Sequence, residues 1–200
     1  MNFLILVAGL PATGKTEFAK YLSRKMGIPM VSKDIIKEHL FDTVGFRTRE
    51  EKVALGIAAM DLMYHFAGTH LELGKPIILE NNFEDTSRPG LKKLIEKFNC
   101  KTIMVRFHTE IHVLSERFLA RDKSPLRHRG HVINSRYPEA DGVSSGETPE
   151  ISFANYYDRM KQRGMEHFSV GGDEIIVDST DFSKVSYEAI YGEITKLFGQ

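Results

Sequence analysis

The chain has no tryptophan and a single cysteine, Cys100, among its 200 residues. A lone cysteine excludes an intramolecular disulfide framework and every cysteine-rich zinc site. Net charge is absent as well, because Lys+Arg and Asp+Glu each total 27. A general polyanion binder carries a basic excess, so the balance counts against a nucleic-acid partner except through a local patch. No apolar run approaches the roughly 20 residues that span a bilayer. The first apolar stretch, residues 3–8, breaks at Gly9 and has no basic residue before it, unlike a signal peptide. The expectation is a soluble, cytoplasmic protein with no membrane partner; the sequence leaves its oligomeric state open.

What is present is a foldable composition. Hydrophobic residues make up 42% and charged residues 27%, enough for a packed core and too apolar for wholesale disorder. The length argues for one domain over residues 1–200. Short apolar strands are expected at 3–8, 29–32, 76–80, 101–107 and 174–177. They alternate with helices expected at 15–26, 33–41, 49–73, 88–98, 110–121, 149–165 and 183–198. Ser87 with Pro89 and Thr148 with Pro149 read as helix starts. The alternation predicts an α/β fold with a five-stranded parallel sheet and helices on both faces. Residues 122–147 lack apolar periodicity and are rich in Gly, Pro and Ser, which predicts a long mobile loop or lid.

The strongest local signal is Gly9-Leu10-Pro11-Ala12-Thr13-Gly14-Lys15-Thr16, a match to G-x-x-x-x-G-K-[ST] placed between a strand and a helix. Glycines let the backbone wrap phosphates with its N–H groups turned inward, and the helix N-terminus adds a favourable dipole. Lys15 is expected to reach the β- and γ-phosphates of ATP, and the Thr16 hydroxyl to bind Mg²⁺. The chain has no Asn-Lys-x-Asp segment that would read guanine and no apolar strand ending in Asp-Glu. Both absences favour phosphoryl transfer to a small acceptor over a switch GTPase or a motor ATPase.

The segments GLPATGKT, VSKDIIKEHLFD, PIILENNF, RFLARDKSPLRHRGH and IIVDST run in order over nearly the whole chain. Together they resemble the P-loop kinases grouped with polynucleotide 5′-kinase, zeta toxins and chloramphenicol phosphotransferase, and most of all the small bacterial AAA_33-type proteins. The resemblance implies a P-loop NTPase fold with an arginine-rich lid. It also implies an ATP-dependent kinase moving the γ-phosphate of Mg·ATP to a hydroxyl of a small-molecule acceptor. A 5′-hydroxyl nucleic-acid kinase and a nucleotide-dependent switch with slow ATP hydrolysis are the alternatives.

Further residues divide between chemistry and structure. Asp34 follows the second strand at a helix start, where a carboxylate can take the proton of an attacking hydroxyl. The likeness to polynucleotide kinase implies that role, although a helix dipole favours Asp there anyway. Glu80-Asn81-Asn82 ends the third strand, where ligands collect in such sheets. Glu80 is a candidate for a Mg²⁺-bound water and Asn82 for acceptor or phosphate; relatives often carry Asp at the Glu80 position. Residues 117–136 hold six cations against one carboxylate, Asp122. Arg117 and Arg121, four apart, are the first candidates to stabilise the transferring charge, and Arg129 is the next, as a nucleotide contact.

The remaining candidates are weaker signals. Arg88 reads as solvent-exposed, and His128 and His131 as phosphate or structural hydrogen-bonding groups. Cys100 reads as a small hydrophobe. The resemblance places Asp178-Ser179-Thr180 near the adenine, though a helix N-cap explains the same residues. Val53, Ile57, Met60, Met63 and Tyr64 read as a core stripe, or as an acceptor wall together with Phe41, Phe46 and Arg47.

Overall fold

In the computed structural model, residues 2–139 and 153–199 are described. Strand β1 (Asn2–Gly9) lies at the centre and is buried from Phe3 onward. Its side chains alternate between two layers, with Phe3, Ile5 and Val7 in one and Leu4, Leu6 and Ala8 in the other. Burial on both faces is why the sequence reads as one continuous apolar run. The other strands are β2 (Met30–Ser32), β3 (Ile77–Glu80), β4 (Cys100–His108) and β5 (Asp173–Asp178). All pair in parallel in the order β2-β3-β1-β4-β5. The chain therefore leaves β1 toward one edge and later returns to its other side, which opens a crevice at the carboxyl end of β1.

Helix α1 (Lys15–Met26) buries Lys15, Phe18, Ala19 and Leu22, one face at three- and four-residue spacing. Helix α8 (Tyr187–Phe198) packs beside it through Ile190 and Ile194. Helices α3 (Arg49–Glu72) and α4 (Arg88–Phe98) cover the opposite face with Met63, Ala67, Leu71, Leu91 and Leu94. Before α3 in the chain, α2 (Lys33–Thr43) follows β2 without a loop. A third cluster joins Leu10, Leu114, Met160 and Met165, bringing α5 (Ile111–Lys123) and α7 (Phe153–Gln162) over the crevice. Among the described residues no helix is long and apolar enough to cross a membrane.

Several sequence expectations shift. The stripe that α3 buries is Lys52, Gly56, Ala59, Met63, Ala67 and Leu71, whereas Val53 and Ile57 are 49% and 60% exposed. Met63, Ala67 and Leu71 pack into the core beneath the sheet, whereas Gly56 at the other end of the stripe faces Lys37 of α2. The last helix begins at Tyr187, where the Ser186 hydroxyl accepts from the Ala189 amide at 3.2 Å. Asp181 instead caps a separate 3-10 turn, Phe182–Lys184. Ser87 caps backward: its hydroxyl accepts from the Glu84 amide at 3.2 Å, while Pro89 sits in the first turn of α4. Helix α7 ends at Gln162 before Gly164, which has φ +72°. The expected start at 149, with Thr148 and Pro149, lies outside the described residues.

The described part of the arginine-rich segment is tied down. Helix α5 runs two residues into it, and a short helix, α6 (Arg129–Val132), follows. Tyr137 and Phe46 exchange backbone hydrogen bonds of 2.8 Å. His128 pairs with Asp42 at 3.0 Å and His131 with Glu38 at 2.9 Å. Phe41 and Phe46 pack against the rings of these groups and Tyr137, so they sit under this strap. The Lys52 ammonium donates to the carbonyls of His131 (3.0 Å) and Ile133 and to Asn134 Oδ1 (3.1 Å). Burial, with Lys37 and Arg49 nearby, pushes Lys52 down to about 7.

Replacing Lys52 by Met removes the donor and leaves the His131 and Ile133 carbonyls short of a partner, at a local cost on the order of 2 kcal/mol. Amide exchange at Phe46 and Tyr137 should then quicken by roughly 30-fold with β1 amides unchanged. Equal acceleration in β1 would show that Lys52 supports the whole fold and not the strap.

Candidate active site

The loop from Gly9 to Lys15 turns through backbone that needs its glycines. Gly9, Ala12 and Gly14 have φ of +145°, +68° and +86°. A Cβ at Gly9 would lie 2.7 Å from the Phe107 carbonyl oxygen, and one at Gly14 2.8 Å from Phe182 Cε1. Gly14 is the N-cap of α1 and no side chain caps that helix. Its first-turn amides and the positive end of its dipole thus face the loop's concavity, as an anion site requires. Thr13 Oγ1 donates to the Leu10 carbonyl at 2.9 Å and braces the loop. Lys15 Nζ lies 3.5 Å from the same carbonyl and 3.7 Å from Glu80 Oε1. Burial draws the Lys15 pKa below its usual value, although Glu80 and Asp34 oppose that shift.

Glu80 ends β3 between its register partners Ser32 on β2 and Val7 on β1. It is 3% exposed. Its carboxylate accepts from Thr16 Oγ1 at 3.1 Å and from the Ser32 hydroxyl. The longer side chain therefore reaches the P-loop threonine. A hydroxyl and a carboxylate side by side are hard oxygen donors, suited to Mg²⁺ held mostly by water and phosphate. Among the described residues no group of three His, Cys, Asp or Glu forms a protein cage for a metal. Ser32 was not singled out from the sequence; its role depends on the β2–β3 register, which no local pattern encodes.

Asp34 lies in the first turn of α2, two residues beyond Ser32. Burial alone would raise its pKa, but His131, Lys15, Lys37 and Arg127 together hold it below the usual carboxylate range. Burial depresses His131's own pKa. Arg121 donates twice to Asp122 Oδ1, at 3.1 and 2.9 Å. Arg127 Nε is buried without a hydrogen-bond partner, 3.7 Å from the same Asp122 oxygen. Both guanidiniums bear on Lys15 electrostatically. The structure thus gathers Lys15, Thr16, Glu80, Asp34, Arg121 and Arg127 around the mouth of the loop. Arg127 was one of six cations in residues 117–136, with nothing local to mark it out.

The AAA_33 family profile, described as an AAA domain, matches residues 4–135. The chain belongs to the AAA_33 family. No curated protein matches it. Among solved structures, a candidate kinase from Chloroflexus aurantiacus J-10-fl is 29% identical, with TM-score 0.80 over 98% of this chain and 97% of that one. A sugar kinase from Janibacter sp. HTCC2649 is 12% identical, with TM-score 0.54 over 98% and 92%. A shikimate kinase from Bacteroides thetaiotaomicron is 13% identical, with TM-score 0.52 over 99% and 98%. The fold is that of the P-loop kinases.

Other residues of this AAA_33 chain stand apart from the loop's mouth. Arg117 donates to the Ser179 and Thr180 carbonyls at 2.7 and 2.8 Å, and its guanidinium stacks 3.6 Å from the Phe182 ring centre. Phe182 in turn covers Gly14. Asp178 Oδ1 accepts from the Thr180 amide at 2.9 Å and shapes that turn, and hydrogen bonds from the Thr180 side chain and then its amide lower the Asp178 pKa. Arg129 pairs with Glu139 at 3.0 Å. Arg88 is half-buried, bonding to the Ser169 carbonyl and to Asp85. Cys100 Sγ lies 3.9 Å from the Leu94 carbonyl, and burial raises its pKa. A groove of about 970 Å³ runs between α3 and α4, walled at one end by Lys33 and Lys37, on either side of Asp34 in the sequence.

Gly14→Ala places a methyl against Phe182 at an unfavourable φ, a strain of roughly 1–2 kcal/mol. ATP binding followed by calorimetry should weaken by about tenfold. Unchanged affinity would mean that this turn does not shape the nucleotide site.

Proposed function

We propose that this AAA_33 protein is an ATP-dependent kinase that moves the γ-phosphate of Mg·ATP to a hydroxyl of a small-molecule acceptor. The observation that carries the reading is the convergence on the P-loop of Lys15, Thr16 and Glu80 with Asp34, whose pKa His131, Lys15, Lys37 and Arg127 hold down against its burial. The amides of Gly9, Leu10, Pro11, Ala12, Thr13, Gly14, Lys15 and Thr16, less the proline, would cradle the phosphates. Thr16 and Glu80 would hold Mg²⁺, which when bound neutralises phosphate charge and orients the nucleotide.

Lys15 would bind the β- and γ-oxygens. Asp34 would accept the hydroxyl proton as the acceptor oxygen bonds to the γ-phosphorus and the bond to ADP breaks. Arg127 and Arg121 would face the transferring phosphoryl group, where guanidinium forks match its spread charge. Arg117, stacked on Phe182, and the Asp178 turn would border the base. Arg129, engaged by Glu139, has no part in this reading. The segment 122–147 would close over a single domain as its lid and exclude water. The likeness to a candidate kinase at 29% identity supports the reaction class. The fold shared with shikimate and sugar kinases fits a small acceptor.

The test uses γ-labelled ATP. Asp34→Asn should leave ATP affinity within about twofold while transfer falls roughly a hundredfold or more. Lys15→Ala should abolish both transfer and most nucleotide binding. Full transfer in Asp34→Asn would remove Asp34 from the chemistry, and unchanged turnover in Lys15→Ala would overturn the nucleotide site itself.

A further inference from the structure

The walls of the groove, which Lys33 and Lys37 line and Asp34 does not, carry seven lysine and arginine side chains against three carboxylates, in a chain whose net charge is zero. Most of those cations are occupied or distant. Lys52 serves the strap, Arg49 donates to Asn134 Oδ1 at 2.6 Å, and Arg163 pairs with Glu84. Lys93 and Lys97 stand exposed along α4. Lys33 and Lys37 remain, half-buried and with no hydrogen bond or ion pair among the described residues. They are four apart and so share one face of α2.

Like charges at that spacing repel, and burial adds a further penalty. Burial lowers the pKa of both amines, Lys37 to about 8, with Asp34 opposing the shift in each case. The end of α2 adds to the positive field. Ser32, at its N-cap, spends its hydroxyl on Glu80, so no side chain caps the helix. Farther along, the groove is lined by Val53, Ile57 and Met60 of α3, an apolar wall open to solvent. Tyr64 also lines it, but its hydroxyl is committed to the Ser87 carbonyl at 2.8 Å.

We infer that the groove takes an anionic acceptor: a hydroxyl compound whose carboxylate or phosphate group is held by Lys33 and Lys37 while its carbon skeleton lies on Val53, Ile57 and Met60. This rests on the kinase reading above and names the substrate class for that site. The anion satisfies two amines that have no hydrogen bond or ion pair among the described residues, Lys37 resting only over the Phe41 ring at 5.3 Å. It also anchors the acceptor on α2, the helix whose first turn carries Asp34, so the hydroxyl to be phosphorylated has to extend out of the groove toward that carboxylate. Neutral sugars, polyols and nucleosides offer nothing to these amines.

The experiment is a lysine-acylation footprint of the full chain with Mg·ADP, read by mass spectrometry near pH 8. Three pools are compared: hydroxycarboxylates, sugar and nucleoside monophosphates, and neutral sugars, polyols and nucleosides. One anionic pool should protect Lys37 and Lys33 at least fivefold, and which of the two does so tells carboxylate from phosphate. Protection by the neutral pool, or by none, overturns the proposal. Where γ-label transfer identifies an acceptor, Lys37→Gln, which removes a charge held by no hydrogen bond or ion pair and should fold, should raise its KM at least tenfold. It should raise KM by more than it lowers kcat, and Lys37→Arg should restore most of the loss. Transfer to a neutral acceptor with KM unmoved in Lys37→Gln overturns the anionic site and leaves the kinase standing. Protection by an anionic pool without transfer from ATP supports the site and overturns the kinase reading.

Discussion

A buried carboxylate has to be met by donors, and Glu80 sets that condition at the point where the sheet meets the P-loop. Its oxygens lie at the end of β3 with 3% exposure, and the partners come from two other elements. Thr16 and Lys15 reach it from α1, and Ser32 from the end of β2. An unpaired carboxylate in that position would be costly, so the three elements are held in one relation. Because Ser32 is both a ligand of Glu80 and the N-cap of α2, the same contact fixes where Asp34 begins the next helix. The spacing between the phosphate loop and the proposed base is thus a consequence of how one acid is buried.

Around that anchor the charges are arranged unevenly. The chain is neutral overall, yet Lys15, Arg121 and Arg127 converge on the loop's mouth, and Lys33 and Lys37 stand at the groove. The negative groups among them are few and specific, and each sits where a cation is already close: Glu80 by Lys15, Asp122 by Arg121, Asp34 by Lys15 and Lys37. Arg127 Nε is buried without a hydrogen-bond partner. An anion arriving at this mouth finds charge whose desolvation has already been met by the fold, which is the condition for electrostatic stabilisation of phosphoryl transfer. The strap that carries Arg127 is secured by another buried cation, Lys52, which uses backbone oxygens in place of a carboxylate.

The parts of this arrangement written in adjacent residues were legible in the sequence. The P-loop is a local spacing, and the strand and helix that flank it follow from apolar periodicity, so the sheet and its central strand could be read directly. Asp34 and Glu80 were visible as acids at element ends. The partners that give them meaning come from far along the chain: Ser32 is 48 positions from Glu80, and Lys52 meets its oxygens 79 to 82 positions away. No local pattern separates Arg127 from Arg117 or Arg129. Their difference lies in the turn after β5 that engages Arg117 and the Glu139 that engages Arg129. In α3 the apolar stripe found Met63 in the core with Met60 and Tyr64 packed against it. Val53 and Ile57 lie exposed, because the N-terminal half of the helix turns Lys52 toward the strap and Gly56 toward Lys37 of α2.

The central claim concerns where the γ-phosphate goes. The most direct measurement incubates the wild-type protein with γ-labelled ATP and Mg²⁺ over pooled hydroxyl compounds and separates organic phosphate esters from inorganic phosphate. The account predicts label in an ester in at least one pool, formed faster than free phosphate. Label found only as inorganic phosphate, at the same slow rate with and without every pool, would contradict it and mark the protein as a nucleotide-hydrolysing switch.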